Sequence, residues 1–293
     1  MQHRLPALAV LLNALVWGLT WWPFRQLAAL GLHPLWTTVL VYGVALLGLL
    51  LWSPGAWRTV VAQPGLWALM LASGLTNVGF NWAVTVGDVV RVVLLFYLMP
   101  AWSVLLAWCL LDEKPTGASL ARLALALTGV LLVLQRPGSP WPVPESLADG
   151  LALMAGFCFA LTSTLLRKLH HARGDARAVA MFAGGVITAG AVALAGWASQ
   201  AVAVPTGLSW TALAVALPLA GAILAGNLTL QYGAARLAAH QTALIMLSEI
   251  VFAGVSAIAA GAADLNARSV AGASLIGLAA ILATRPSGPG RSA

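Results

Sequence analysis

Ten apolar stretches, each about as long as a bilayer is thick, fill almost the whole of this 293-residue chain. They fall at roughly 5–24, 34–52, 66–86, 90–111, 117–135, 147–167, 178–198, 209–231, 239–260 and 268–284, and about 17–25 apolar residues suffice for a helix to cross the hydrocarbon core. In lipid every backbone N–H and C=O must be satisfied within the protein, which leaves the helix as the form for such runs. Hydrophobic residues make up 61% of the chain and charged residues 8%, far from the balance of a soluble domain. The expected fold is all-α and polytopic, with ten transmembrane helices. No small-residue cleavage site follows the first stretch, so it is read as a retained helix.

The excess of Lys and Arg carries information through its placement between spans. With the N-terminus inside, Arg4, Arg58, Lys114, Arg122, Arg167, Lys168, Arg173, Arg177, Arg236, Arg285 and Arg291 lie on the inner side, against Arg25, Arg91, Arg136 and Arg268 outside. Both termini are therefore expected in the cytoplasm, and the basic loop around His170 and His171 is expected to meet anionic lipid rather than nucleic acid. Asp88 and Arg91, one turn apart, read as an ion pair near the outer surface. Cys109 and Cys158 fall within spans as small apolar side chains, and no disulfide is expected.

The chain also repeats itself. A shift of 150 sets Asn77 on Asn227, Asn81 on Gln231, Trp82 on Tyr232, Leu94 on Leu244 and Trp102 on Phe252. Nearer the start of each half a shift of 142 sets Trp17 on Phe159, Thr20 on Thr162 and Arg25 on Arg167. An odd number of spans per half turns the second copy upside down, and such inverted repeats share a site between them. The organisation expected is a five-helix repeat over 1–136, an outer connector at 137–146, a second repeat over 147–284 and a disordered tail at 285–293.

The run from Tyr97 through Leu-Met-Pro-Ala-Trp-Ser-Val-Leu-Leu-Ala to Trp108, followed by Leu111-Asp-Glu-Lys-Pro-Thr, resembles the end of the first repeat in EamA-type drug/metabolite transporters. Around Tyr232-Gly-Ala-Ala-Arg and Leu247-Ser-Glu-Ile-Val-Phe-Ala the second half carries a weaker copy. It departs at Ile250, where that family often has proline, and at Ala263, where it often has a closing glutamate. Within the family the pattern is most similar to the YddG-type exporters of aromatic amino acids. The resemblance implies two five-helix repeats around a central cavity, in the inner (plasma) membrane of a bacterium.

Polar side chains in the middle of spans mark the faces that avoid lipid. Ser73, Asn77, Asn81 and Thr85 recur every four residues along one helical face, and Asn227 and Gln231 repeat the pattern in the eighth span. The first span offers Asn13, Trp17 and Thr20, and the sixth offers Thr162. The ninth offers Thr242, Met246, Glu249 and Ser256. The amides read equally as helix-to-helix glue, worth about 1 kcal/mol each, or as a binding surface.

Glu249 is the sharpest residue, because an acid near a span centre costs about 2.5–3.5 kcal/mol on insertion scales. It is expected to bind an ammonium or carry a coupling proton; a quiet structural carboxyl is the other reading. Pro100 removes a donor to the Phe96 carbonyl and should kink the fourth span, where Tyr97 and Trp102 add rings to that of Trp17. The candidate cavity set is thus Asn13, Trp17, Thr20, Asn77, Asn81, Tyr97, Pro100, Trp102, Thr162, Asn227, Gln231, Met246 and Glu249.

No phosphate-cradling Gly-rich loop with Lys occurs, so any active transport must be secondary. No hydrolase or zinc motif is present, and neither enzymatic activity nor a cofactor or metal is expected. The leading expectation is alternating-access export of aromatic and other neutral amino acids, or similar small metabolites, by a competent monomer. A multidrug or organic-cation exporter is the alternative within transport, and a channel-like or assembly protein the alternative outside it.

Overall fold

The computed structural model describes residues 4–86, 92, 95–112, 114–134, 146–205, 207–260 and 267–283. Among these residues the regular structure is entirely helical: α1 (Arg4–Ala29), α2 (Pro34–Trp52), α3 (Ala56–Ala62), α4 (Pro64–Val86), α5 (Met99–Leu111), α6 (Gly117–Leu134), α7 (Leu147–Lys168), α8 (Gly174–Ala198), α9 (Trp210–Ala234), α10 (Ala239–Met246), α11 (Ser248–Ala259) and α12 (Ala267–Ala283). The expected outer connector, the tail, and the Asp88 and Arg91 pair lie outside the described residues.

Helix boundaries follow from local chemistry. Gly31, at φ 86°, turns the chain out of α1, and the Leu32 N–H closes back on the Leu27 carbonyl at 3.0 Å. The His33 side chain then accepts from Leu35 N at 3.2 Å just ahead of Pro34, which needs no donor in a first helical turn. Ser146 and Asp149 cap α7 reciprocally, and Ser209 Oγ accepts from Ala212 N at 3.0 Å to start α9. Each device satisfies an N–H that the first turn of a helix leaves open.

Five helices, α1, α2, α7, α8 and α9, are each long and apolar enough to cross a membrane, and α3 with α4 would make a sixth, bent by 102° between them. Shorter apolar stretches run through α5 (Ala101–Leu111), α6 (Gly117–Gly129) and the α10–α11 pair (Leu244–Ser256). The count of full-length spans among the described residues is therefore five or six rather than ten. Two differences from the sequence expectation have physical causes. The ninth stretch is broken at Leu247, whose N–H bonds to the Leu244 carbonyl at 3.2 Å in a tight turn. In the fourth stretch a turn at Tyr97 and Leu98 precedes α5, so Pro100 sits in a first helical turn instead of kinking a continuous helix.

Packing alternates between the two halves of the chain. α4 lies against α7 and α8, and α9 lies against α1 and α2; α5 packs on α7, and α11 packs on α1. α2 meets α8, and α6 meets α12. Gly79 brings α4 close to Leu151 and Ala155 of α7, while Gly226 and Gly233 bring α9 close to Val16 and Val10 of α1. The resulting core runs through Val10, Leu69, Phe96, Tyr97, Met99, Phe159, Phe182 and Leu244.

Candidate functional site at the facing helix breaks

The two broken stretches meet in the interior. Tyr97, 3% exposed, stands in the turn before α5, and Glu249 occupies the first turn of α11. The Tyr97 hydroxyl lies within interaction reach of the Glu249 carboxyl group.

Beside Tyr97 the packing is aromatic and apolar. Phe96 packs on Phe80, Tyr97 and Phe159 with ring centroids 4.8, 5.6 and 5.8 Å apart. The Phe96 carbonyl, to which Pro100 cannot donate, lies against Gly156 of α7, where any side chain would collide with it. Met246, the last residue of α10 and 1% exposed, accepts at its sulfur from Asn13 Nδ2 at 3.1 Å. Asn13 Oδ1 and Thr162 Oγ1 are buried without a hydrogen-bond partner among the described residues.

The other expected residues are arranged as follows. Trp17 is half-buried against the core, and its carbonyl accepts from Thr20 Oγ1 at 2.7 Å. Trp102 meets Phe157 edge-on at 5.9 Å, with its indole N–H unpartnered among the described residues. Asn77 accepts from the Tyr42 hydroxyl at 2.8 Å and donates to the Ser73 carbonyl at 2.9 Å. Asn81 donates to Thr38 Oγ1, so both amides of α4 clasp α2. In α9, the Asn227 and Gln231 amides touch at 2.7 Å. With its nitrogen turned toward the Gly174 carbonyl, 3.1 Å away, Gln231 reaches the first turn of α8, and Asn227 Nδ2 lies 3.6 Å from Met181 Sδ.

The structure thus brings Tyr97 to Glu249 and Asn13 to Met246, and ties the four amides to the neighbouring helix of their own half. Sequence reasoning missed Thr38, Tyr42, Phe80, Phe96 and Met181. Thr38 and Tyr42 carried a signal, being polar residues four apart within an apolar run, the same spacing as Asn77 and Asn81. Outside the spans, burial lowers the pKa of His33. Among the described residues no group of His, Cys, Asp and Glu is placed to hold a metal.

Residues 4–135 match the EamA-like transporter family. That stretch ends where α6 does and contains the turn at Tyr97. A solved crystal structure of a protein, described without an activity, is similar in fold, with a TM-score of 0.75 over 95% of this chain and 97% of that chain, at 18% sequence identity. No curated protein matches the chain. The long apolar helices and the transporter-family match together indicate a multi-pass membrane protein, and the match points to transport of a small molecule.

Proposed function

We propose that this chain is a secondary transporter of neutral amino acids, aromatic ones included, or of similar small metabolites, built from ten membrane segments as two inverted five-helix halves. The observation that carries the reading is the contact between the two helix breaks: one carboxylate, one phenol hydroxyl and an aromatic surround, drawn from both halves. A zwitterion with an apolar side chain fits such a lining, its ammonium toward Glu249 and its side chain among the rings.

The packing supports an inverted repeat. Exchanging the halves turns the α4–α7 contact into the α9–α1 contact, and the α5–α7 contact into α11–α1, while α2–α8 and α6–α12 map onto themselves. The breaks at Leu98 and Leu247 also correspond, within one residue, at the shift that aligns Asn77 with Asn227. Broken helices meeting at the interface of inverted repeats are the usual setting of a transported ligand, and rocking of one half against the other gives alternating access.

The test is uptake of radiolabelled phenylalanine, tryptophan, methionine and threonine into liposomes holding the purified protein, beside empty liposomes and Glu249→Gln. Saturable uptake that falls at least tenfold in the variant is expected. Flat traces from folded protein would reject amino-acid transport. The Phe80, Phe96 and Phe159 cluster beside an acid also suits an organic cation, so competition by a lipophilic cation without amino-acid uptake would favour that second reading. Non-saturable flux would favour a channel.

A further inference from the structure

Asn13 of α1 carries an amide that its surroundings barely use. The residue is 0% exposed. Its nitrogen donates to Met246 Sδ at 3.1 Å, and a thioether is a weak acceptor. Its oxygen has no donor among the described residues and faces Gly226 of α9, where an added Cβ would lie 3.4 Å away. A buried acceptor left unmet is costly, so an amide held in this way needs a reason.

The corresponding place in the other half argues against helix-to-helix glue. At the shifts that align the halves, Asn13 falls on Ala155 and Met246 on Phe96. There the Phe96 carbonyl lies so close to Gly156, the neighbour of Ala155, that a Cβ on the glycine would overlap it. α7 packs tightly on its helix break through an alanine and a phenylalanine, without an amide. The Asn13–Met246 contact stands at the other break: Met246 ends α10 just before Leu247, and α1 runs on past the break, with Gly18 against the Glu249 carbonyl and Phe252. Methionine is unbranched and adaptable, so its side chain can leave the amide while the helix stays in place.

We propose that the Asn13 amide binds the head group of a zwitterion and that Met246 is its placeholder. When the thioether swings aside, the amide nitrogen donates to the ligand carboxylate and the amide oxygen accepts from the ammonium beside it. A side-by-side donor and acceptor match a ligand that carries one of each on a single carbon. The setting rests on the reading above as an amino-acid transporter, and Asn13 is then a residue that selects amino acids over amines and acids alone.

The experiment is thermal melting of the purified protein in detergent, with and without phenylalanine, phenethylamine or phenylpropionate, beside uptake of radiolabelled phenylalanine into liposomes. Wild type, Asn13→Leu, Asn13→Ala and Met246→Leu are compared. Leucine keeps the branched shape of asparagine without its polar atoms, so Asn13→Leu should melt at or above the wild-type temperature when no ligand is present. Asn13→Ala installs the residue of the other half and supplies the binding measurement should leucine not fit. Phenylalanine is expected to stabilise wild type more than either single-ended compound and to bind roughly tenfold more weakly to the Asn13 variants. Met246→Leu conserves volume and should bind phenylalanine as well as wild type or better. Both Asn13 variants melting well below wild type would make the amide part of the packing and overturn the proposal. So would unchanged phenylalanine binding in a folded Asn13 variant, an equal loss of binding in Met246→Leu, or a wild type that phenylalanine does not stabilise. Asn13-dependent binding of phenylalanine by a protein that transports none would uphold the proposal and reject the transport reading, whereas saturable uptake unchanged in both Asn13 variants would do the reverse.

Discussion

His33 shows how a single residue ties the fold to pH. Its Nδ1 accepts from Leu35 N at 3.2 Å, which requires that nitrogen to be unprotonated, and burial lowers its pKa from 6.5. The sign follows from proton linkage: below pH 6.5 the unfolded chain binds a proton that the folded chain resists. The contribution of this cap to stability is therefore complete above about pH 7 and declines as pH falls through 6.5 toward the lower folded-state value. The melting temperature of wild type should drop between pH 7.5 and pH 5.5, and that of His33→Asn, which keeps an acceptor that does not titrate, should drop less. Equal slopes would remove His33 from the account. The amides make a second residue-scale case. The four-residue spacing of Asn77 and Asn81 was legible because polar residues are scarce in apolar runs. Their partners, Thr38 and Tyr42, are weaker signals, since Thr and Tyr are common in membrane helices. Asn81→Ala should thus lower stability by about 1 kcal/mol and leave uptake per folded molecule within about twofold, the size of effect expected of a strut lying away from the ligand. Uptake that collapses at full stability would return Asn81 to the ligand.

At the scale of elements, closeness of approach is set by glycine. A Cβ on Gly184 of α8 would overlap the Met70 carbonyl of α4, and one on Gly185 would overlap the Tyr42 ring of α2. A backbone carbonyl cannot rotate away as a side chain can. Gly184→Ala should therefore cost about 1–3 kcal/mol through overpacking. Gly48→Ala, in the middle of α2 with nothing within 4 Å of the added carbon, should be neutral or slightly stabilising on helix propensity. Melting temperatures of the two variants check this, and a Gly184→Ala protein as stable as Gly48→Ala would mean that α4 and α8 sit less tightly than described. Helix ranges were largely legible: α2 coincides with the expected 34–52, and α7 with 147–167 to within a residue at its end. The misses share a cause. α3 is seven residues with Arg58 inside, too short for hydrophobic periodicity to register, and the break at Leu247 is flanked by neither proline nor an adjacent glycine, so nothing in the local sequence punctuates it.

At the scale of the whole molecule, Arg167, Arg173 and Arg177 gather at one end. The C-terminal ends of α2, α7 and α9 meet the start of α8 there: Ser53 Oγ donates to Asp175 at 2.6 Å, Arg173 pairs with Asp175, Arg177 donates to the Leu169 carbonyl at 3.1 Å and Arg167 to the Ala235 carbonyl at 3.2 Å. Guanidinium groups on the carbonyl ends of helices are favourable in themselves, which explains why the residues that set orientation also stitch helix ends together. Charge counting from sequence identifies these residues as one group, but their convergence arises from the crossing of the two halves, which no local pattern encodes. The positive-inside rule predicts that this end is cytoplasmic. In a background with Cys109 and Cys158 replaced by serine, a cysteine at exposed His171 should be silent to a membrane-impermeant maleimide in intact spheroplasts. A cysteine at Leu208, in the loop between α8 and α9 at the other end, should react, and both should react after lysis. The opposite pattern would turn the molecule over in the membrane and place the basic end outside, while leaving the packing of the halves, the facing breaks and the Tyr97–Glu249 pair unchanged.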